Sequence, residues 1–117
     1  MKRLFLAATL SLTALPVSAG ELTGQSLLSE ISGKHYDCKM GETSLEWIVS
    51  EIAEDAETIA YSAVVHGKTV DAEYTLSEAG RLSSDGYGDE RVVTQQDDGA
   101  LHLARADGRV MVCAERG

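Results

Sequence analysis

Apolar and polar residues alternate along most of the chain after residue 34, and this is the pattern of half-buried β-strands. Short turns that contain glycine separate these segments at intervals of about ten residues. This arrangement predicts an antiparallel β meander that forms a small barrel or a curved sheet. The predicted strands cover residues 35–40, 59–65, 70–76, 90–95, 100–104 and 109–114, and the predicted turns are Gly67-Lys68, Asp98-Gly99 and Asp107-Gly108.

A short helix is predicted before the first of these strands, over residues 23–32. Leu27, Leu28 and Ile31 have helical spacing and must pack against another element, because so short a helix is marginal in isolation. We expect Thr23 to cap the start of the helix.

The segment that follows the first strand admits two interpretations. Leu45, Ile48, Val49 and Ile52 have helical spacing, whereas Leu45, Trp47 and Val49 have strand spacing. We favour a strand because tryptophan, isoleucine and valine are common in sheets. The predicted fold is therefore mainly β, with α+β as the alternative if residues 45–56 form a helix.

The first residues have the pattern of a cleavable export signal. Met1-Lys2-Arg3 is positively charged, residues 4–15 are apolar, and Val17-Ser18-Ala19 offers the small residues that a signal peptidase reads. We expect cleavage after Ala19 and a periplasmic or secreted protein. Residues 20–117 then form a single small β-rich domain. No cysteine directly follows the apolar stretch, so we expect no membrane anchor.

The charge is strongly negative. The full chain has a formal net charge of −9; without Lys2 and Arg3, 8 basic and 19 acidic residues remain, a balance of −11. Such a surface repels nucleic acid and anionic headgroups, and it attracts cationic proteins over about one Debye length. Composition carries no information on the oligomeric state.

Two cysteines, Cys38 and Cys113, lie near the ends of the exported chain. An even pair in an oxidising compartment is most simply a disulfide. A redox-active pair would be expected in Cys-x-x-Cys spacing, and a metal site would need more ligands. We predict a structural disulfide that joins the first and last strands of the meander.

The sequence predicts neither a metal site nor a cofactor. His35, His66 and His102 lie far apart and have no metal-ligand spacing. Residues 85–90 place three carboxylates around two glycines and leave calcium as an alternative, but they do not match an EF-hand loop.

No catalytic motif was found, so we expect that the protein is not an enzyme. There is no Gly-x-Ser-x-Gly elbow, and the Ser83-Ser84 pair has no histidine nearby in the sequence. The segment around Tyr87 instead resembles an exposed recognition loop that carries an aromatic residue.

Both end strands resemble a known family. Residues 36–41 read Tyr-Asp-Cys-Lys-Met-Gly and residues 107–113 read Asp-Gly-Arg-Val-Met-Val-Cys. They are similar to the periplasmic and membrane-bound inhibitors of C-type lysozyme, which begin with Tyr-x-Cys-x-x-Gly and end with a glycine turn, a strand and a cysteine. The resemblance covers the end strands and the size. The family's inhibitory Ser-Gly-x-x-Tyr motif does not align with residues 84–87, and the N-terminal helix is not part of the family pattern.

The resemblance implies a small exported β-barrel that inhibits a lysozyme. Together with the acidic charge, it predicts a non-catalytic protein that binds a cationic protein, such as a lysozyme-like cell-wall hydrolase. The predicted contact loop consists of Ser84, Asp85, Tyr87 and Asp89.

Two other functions remain open at this point. One is a small-ligand-binding barrel, in which Trp47, Tyr61 and Tyr74 line the interior. The other is an envelope assembly or adhesion component, which would use the exposed loops or an uncovered apolar patch.

Overall fold

The structure is a computed structural model that describes residues 20–84 and 89–116. The predicted signal peptide, residues 1–19, lies outside these ranges. The elements in chain order are β1 (Gly20–Leu22), α1 (Gly24–Ile31), β2 (His35–Met40), β3 (Thr43–Val49), β4 (Thr58–Val65), β5 (Lys68–Leu76), β6 (Leu82–Ser84), β7 (Asp89–Gln95), β8 (Leu101–Ala104) and β9 (Val110–Glu115).

Eight strands form a closed antiparallel barrel. Each strand from β2 to β8 pairs with the next one along the chain, and β9 pairs with β2 to close the barrel. The short strand β1 pairs with the second half of β7, beyond the three residues of β7 that pair with β6. The prediction of a mainly β meander is confirmed, and the ambiguous segment is a strand rather than a helix.

Helix α1 lies at one end of the barrel. The amide of Gly24 donates to the carbonyl of Gly80 at 2.9 Å, and the side-chain amide of Gln25 donates to the carbonyl of Glu54 at 3.2 Å. The helix therefore lies beside the β3–β4 and β5–β6 connections. We call this the helix end.

The opposite end of the barrel is here called the mouth. Because an antiparallel meander places successive connections at alternate ends, the β2–β3, β4–β5 and β8–β9 turns lie at the mouth. By their register with buried residues, six strand residues face inward near the mouth: Ala63, Val65, Val70, Ala72, Asp89 and Met111. Arg105, which follows β8, contacts Asp89 there.

The helix has the predicted residues on its buried face, but its cap differs from the prediction. Leu27, Leu28 and Ile31 are at most 4% exposed. Thr23 occupies the N-cap position in an extended conformation, yet its side chain makes no capping hydrogen bond. Burial of the apolar stripe against the barrel, rather than a side-chain cap, therefore stabilises α1.

Aromatic side chains fill the middle of the barrel. Trp47 is 1% exposed, and its ring centroid lies 5.3 Å from that of Tyr36 and 6.5 Å from that of Tyr74. Tyr61 stacks on Tyr74 at 4.3 Å. The buried apolar core comprises Leu27, Leu28, Ile31, Tyr36, Cys38, Trp47, Val49, Ile59, Tyr74, Leu82, Val93, Leu101, Leu103 and Cys113.

The predicted disulfide is present. Cys38 and Cys113 are directly opposite each other on β2 and β9, with a Cα–Cα distance of 4.1 Å. Both side chains are buried inside the barrel. The bond therefore joins the two strands whose pairing closes the barrel.

The turn between β4 and β5 lies one residue before its predicted position. His66 and Gly67 form it, and their φ angles of 52° and 79° match a type I′ turn. The Asp98-Gly99 and Asp107-Gly108 turns lie where they were predicted. In both, the aspartate carboxylate accepts a hydrogen bond from the amide two residues further along the chain, at 3.0 Å.

Gly80 makes a close backbone contact that predicts a large mutational effect. A Cβ atom at this position would lie 2.7 Å from the Gly24 amide nitrogen, and the φ angle of +80° already disfavours a side chain. We expect Gly80→Ala to lower the free energy of unfolding by about 2–4 kcal/mol. Gly99 is a matched control because its φ is +92° and a Cβ would meet nothing within 4 Å. Gly99→Ala should lose only about 1–2 kcal/mol in urea unfolding, and equal losses would contradict the steric argument.

Candidate functional site

The described part of the predicted contact loop lies at the mouth. Ser84 ends β6 and Asp89 begins β7, and the two residues are paired across the strands. Asp85 and Tyr87 lie outside the described residues, as does most of the segment considered for calcium. The prediction that these four residues contact a partner stays a prediction.

Asp89 is held by two arginines. Its Oδ2 atom lies 2.6 Å from Nη2 of Arg105 and 3.2 Å from Nη1 of Arg91. The hydrogen bond from Arg105 lowers the pKa of the Asp89 carboxyl, and the charge of Arg91 acts in the same direction. This carboxylate is therefore ionised and already neutralised within the protein.

Arg91 extends into the barrel. It is paired with the fully buried Leu82, and its side chain is only 12% exposed. Its guanidinium donates to the carbonyl of Asp89 and to Oγ of Ser84, each at 2.9 Å. It also lies 5.7 Å from the ring centroid of Tyr74, within the range of a cation–π interaction.

Two buried N–H groups in the barrel have no hydrogen-bond partner among the described residues. They are Nε of Arg105 and Nε1 of Trp47. Buried N–H groups normally have a protein or water partner, because an unpaired one costs about 1–3 kcal/mol.

The aromatic residues predicted to line a ligand cavity pack on one another. Tyr61 and Trp47 both contact Tyr74, so their rings close the barrel below the mouth. Burial is the main cause of the raised pKa of the Tyr74 hydroxyl, which is neutral at physiological pH.

Unpaired acidic side chains gather at the helix end. The basic residues Lys34, Arg81, Arg91, Arg105, Arg109 and Arg116 all lie in ion pairs with carboxylates. Seven exposed carboxylates in the helix-end connections have no salt-bridge partner among the described residues. They are Glu51, Glu54, Asp55 and Glu57 between β3 and β4, Glu78 between β5 and β6, and Asp97 and Asp98 between β7 and β8.

A depression of about 770 Å³ crosses the outer face of β9, β2, β3 and β4. Val64, Val112 and Ala114 give it an apolar lining. At its edge, Arg116 bridges Asp37 at 2.6 Å and Glu46 at 3.5 Å.

The histidines do not converge. Nε2 of His35 lies 2.8 Å from a carboxylate oxygen of Glu46, His66 is in the β4–β5 turn, and His102 is on β8. Within residues 20–84 and 89–116, no group of three histidine, cysteine or acidic side chains is arranged to hold a metal ion.

Comparisons with protein-family models, curated proteins and solved structures give no significant match. No helix in the described part of the chain is long and apolar enough to cross a membrane. The class that the fold and its surfaces define is a small disulfide-closed antiparallel β-barrel with an acidic end and an arginine-containing mouth.

Proposed function

We propose that the protein is an exported, non-catalytic binding protein whose helix end binds a cationic protein. The observation that carries this proposal is the separation of charge: the exposed, unpaired carboxylates described above gather at one end of the barrel, while most basic groups are neutralised within the molecule. Such a surface increases the rate of encounter with a basic partner more than it increases the final affinity.

Export is supported by two independent features. A disulfide persists in oxidising compartments and is rare in the cytosol. The first 19 residues carry the charged, apolar and small-residue segments of a signal peptide.

The helix end is a better candidate for the main contact than the predicted loop at the mouth. Asp89 in that loop is neutralised by Arg91 and Arg105 and cannot attract a cation as a free carboxylate would. The β3–β4 connection, in contrast, presents Glu54 and Asp55 to solvent. The choice of a lysozyme-like hydrolase as the target rests on the resemblance of the end strands alone.

The proposal is tested by measuring the binding and activity of a C-type lysozyme with purified residues 20–117. We expect binding that weakens steeply as the salt concentration rises. Glu54→Gln combined with Asp55→Asn should weaken binding by about three- to tenfold, because exposed charge pairs contribute about 0.2–1 kcal/mol each. The matched control, Glu42→Gln combined with Asp71→Asn, removes the same charge from exposed positions that lie nearer the mouth than the helix end.

Equal effects of the two double variants would show that only net charge matters and would contradict the assignment to the helix end. Failure to bind lysozyme even at low salt would eliminate this target. Chemical cross-linking in an envelope extract would then decide whether any basic protein contacts the helix end. If no basic protein contacted the helix end, the proposal that this end binds a cationic partner would be wrong as well.

A further inference from the structure

A cleft of about 360 Å³ separates α1 from the β3–β4 connection at the helix end. Its wall on the helix side is a polar stripe, because Gln25, Ser29 and Ser32 are three or four residues apart and so lie on the same face of the helix. Leu28 and Ile52 also line the cleft. Leu28 is 4% exposed and Ile52 packs against the buried core, so these two residues form an apolar floor.

Hydrogen bonds hold the two walls of the cleft together. The side-chain amide of Gln25 donates to the carbonyl of Glu54 at 3.2 Å. Near the other end of the helix, the amide of Ile52 donates to Oγ of Ser32 at 2.8 Å. The cleft is therefore already formed in the free protein, and a ligand binds there without the cost of ordering its walls.

The rim of the cleft is acidic. Glu54 lines the cleft and is exposed. Glu51 lies against the end of the helix, where a Cβ atom at Gly33 would be 3.7 Å from its Oε2 atom. The last carbonyl groups of a helix add partial negative charge. Lys34, the basic residue that follows the helix, pairs with carboxylates outside the cleft. The charge around the cleft therefore favours a cation.

We propose that this cleft receives one lysine or arginine side chain of the cationic partner. The inference rests on the proposed function of the helix end and names the group that is recognised there. Lysine and arginine combine an aliphatic stem with a charged head, so the stem packs on Leu28 and Ile52 while the head contacts the carboxylate of Glu54. The charge of the whole helix end attracts the partner, whereas the cleft determines which part of the partner is bound.

Butylguanidinium is a suitable probe because it has the stem and the head of an arginine side chain. We expect ¹⁵N-labelled residues 20–117 to show saturable amide shifts at Ser29, Ala53 and Glu54 when they are titrated with it at pH 7 and low salt. Butylurea has nearly the same shape without the charge and should bind at least about threefold more weakly, since the attraction to the carboxylate is lost. Methylguanidinium should also bind more weakly, because it makes little contact with the apolar floor.

Substitutions that fill the cleft without a change of charge test the site directly. Ser29→Leu places an apolar side chain in the cleft and should weaken the binding of butylguanidinium by about tenfold or more, because the space for the stem is lost. Ser26→Leu is the matched control and should leave binding unchanged, because Ser26 is exposed on the same helix but does not line the cleft.

A second pair of variants tests the charge at the rim. Glu54→Gln should weaken the binding of butylguanidinium by about two- to fivefold. Glu57→Gln removes the same charge from an exposed position of the same connection that does not line the cleft, so its effect should be clearly smaller.

The proposal is refuted if butylguanidinium gives no saturable shifts, if butylurea binds equally well, or if Ser29→Leu and Ser26→Leu have equal effects. The amide spectrum of each variant shows whether the barrel is folded. If Ser29→Leu does not fold, the comparison of Glu54→Gln with Glu57→Gln decides the question, since equal losses would mean that only net charge matters.

Lysozyme binding separates a failure of this inference from a failure of the proposed function. If Ser29→Leu binds lysozyme as tightly as the wild type while the Glu54 and Asp55 double variant binds it more weakly, the helix end attracts the protein without the cleft, and only the cleft is refuted. If lysozyme does not bind but butylguanidinium behaves as expected, the cleft is supported as a site for a basic side chain and lysozyme is eliminated as the target.

Discussion

Replacement of both Cys38 and Cys113 by serine is expected to lower the free energy of unfolding by about 4–5 kcal/mol in the chain-entropy view of disulfides. The two residues are 75 positions apart, so the bond closes a long loop and removes many conformations from the unfolded chain. The bond also joins β2 to β9, whose pairing closes the barrel. Small domains have a total stability of about 5–15 kcal/mol, so this loss is a large part of the whole.

Urea unfolding followed by circular dichroism measures the effect. The wild-type protein in excess reductant is the matched comparison, because it lacks the bond but keeps both native side chains. The reduced protein and the double serine variant should unfold at similar, much lower urea concentrations. A midpoint close to that of the oxidised wild type would show that the strand pairs alone hold the barrel closed.

Alternation along the chain predicted the longer strands because each has one face in the core. Tyr36 and Cys38 on β2, like Ile59 and Tyr61 on β4, point inward as their spacing indicates. The two shortest strands, β1 and β6, were not predicted. Each has three residues, which is too few for a period of two to be distinguished from chance.

From the sequence, a closed barrel could be predicted only as one of two alternatives. A meander of this length can remain a curved sheet or join its first and last strands, and local alternation is the same in both. The pairing of Cys38 with Cys113 was predicted from the oxidising compartment, and it is consistent with closure because the two residues are direct neighbours on β2 and β9.

The arginine cluster was missed because sequence rules place charged residues outside. Arg91 lies in the same alternating series as the buried Val93, so its inward position could have been derived from the period of β7. Its contact with Asp89, two residues earlier on the same face of β7, follows from the same period. The contact of Asp89 with Arg105 could not be derived in this way, because Arg105 follows a different strand, β8. The acidic helix end was not predicted either. The carboxylates around Glu54 and Asp97 lie in separate connections, which only the closed meander places at the same end of the barrel.

Trp47→Ala is expected to lower the free energy of unfolding by about 3–5 kcal/mol, the usual loss for a large aromatic side chain in a core. Trp47 is the single tryptophan of the chain and is 1% exposed. Its ring contacts both Tyr36 and Tyr74, so its removal leaves a cavity between the two halves of the aromatic core. Urea unfolding followed by far-ultraviolet circular dichroism is the appropriate measurement, because the variant lacks the tryptophan signal.

One further variant, Trp47→Phe, separates the contribution of the ring from that of its N–H group, and Val70→Ala is an exposed control. Trp47→Phe keeps an aromatic ring in the core and removes a buried donor that has no acceptor among the described residues, so its loss should be clearly smaller, about 1–2 kcal/mol. Val70→Ala should change stability by no more than about 0.5 kcal/mol, because Val70 is 57% exposed. If Trp47→Phe were as damaging as Trp47→Ala, the indole N–H group would have to be bonded inside the barrel. An acceptor held there, such as an ordered water, would then be part of the core.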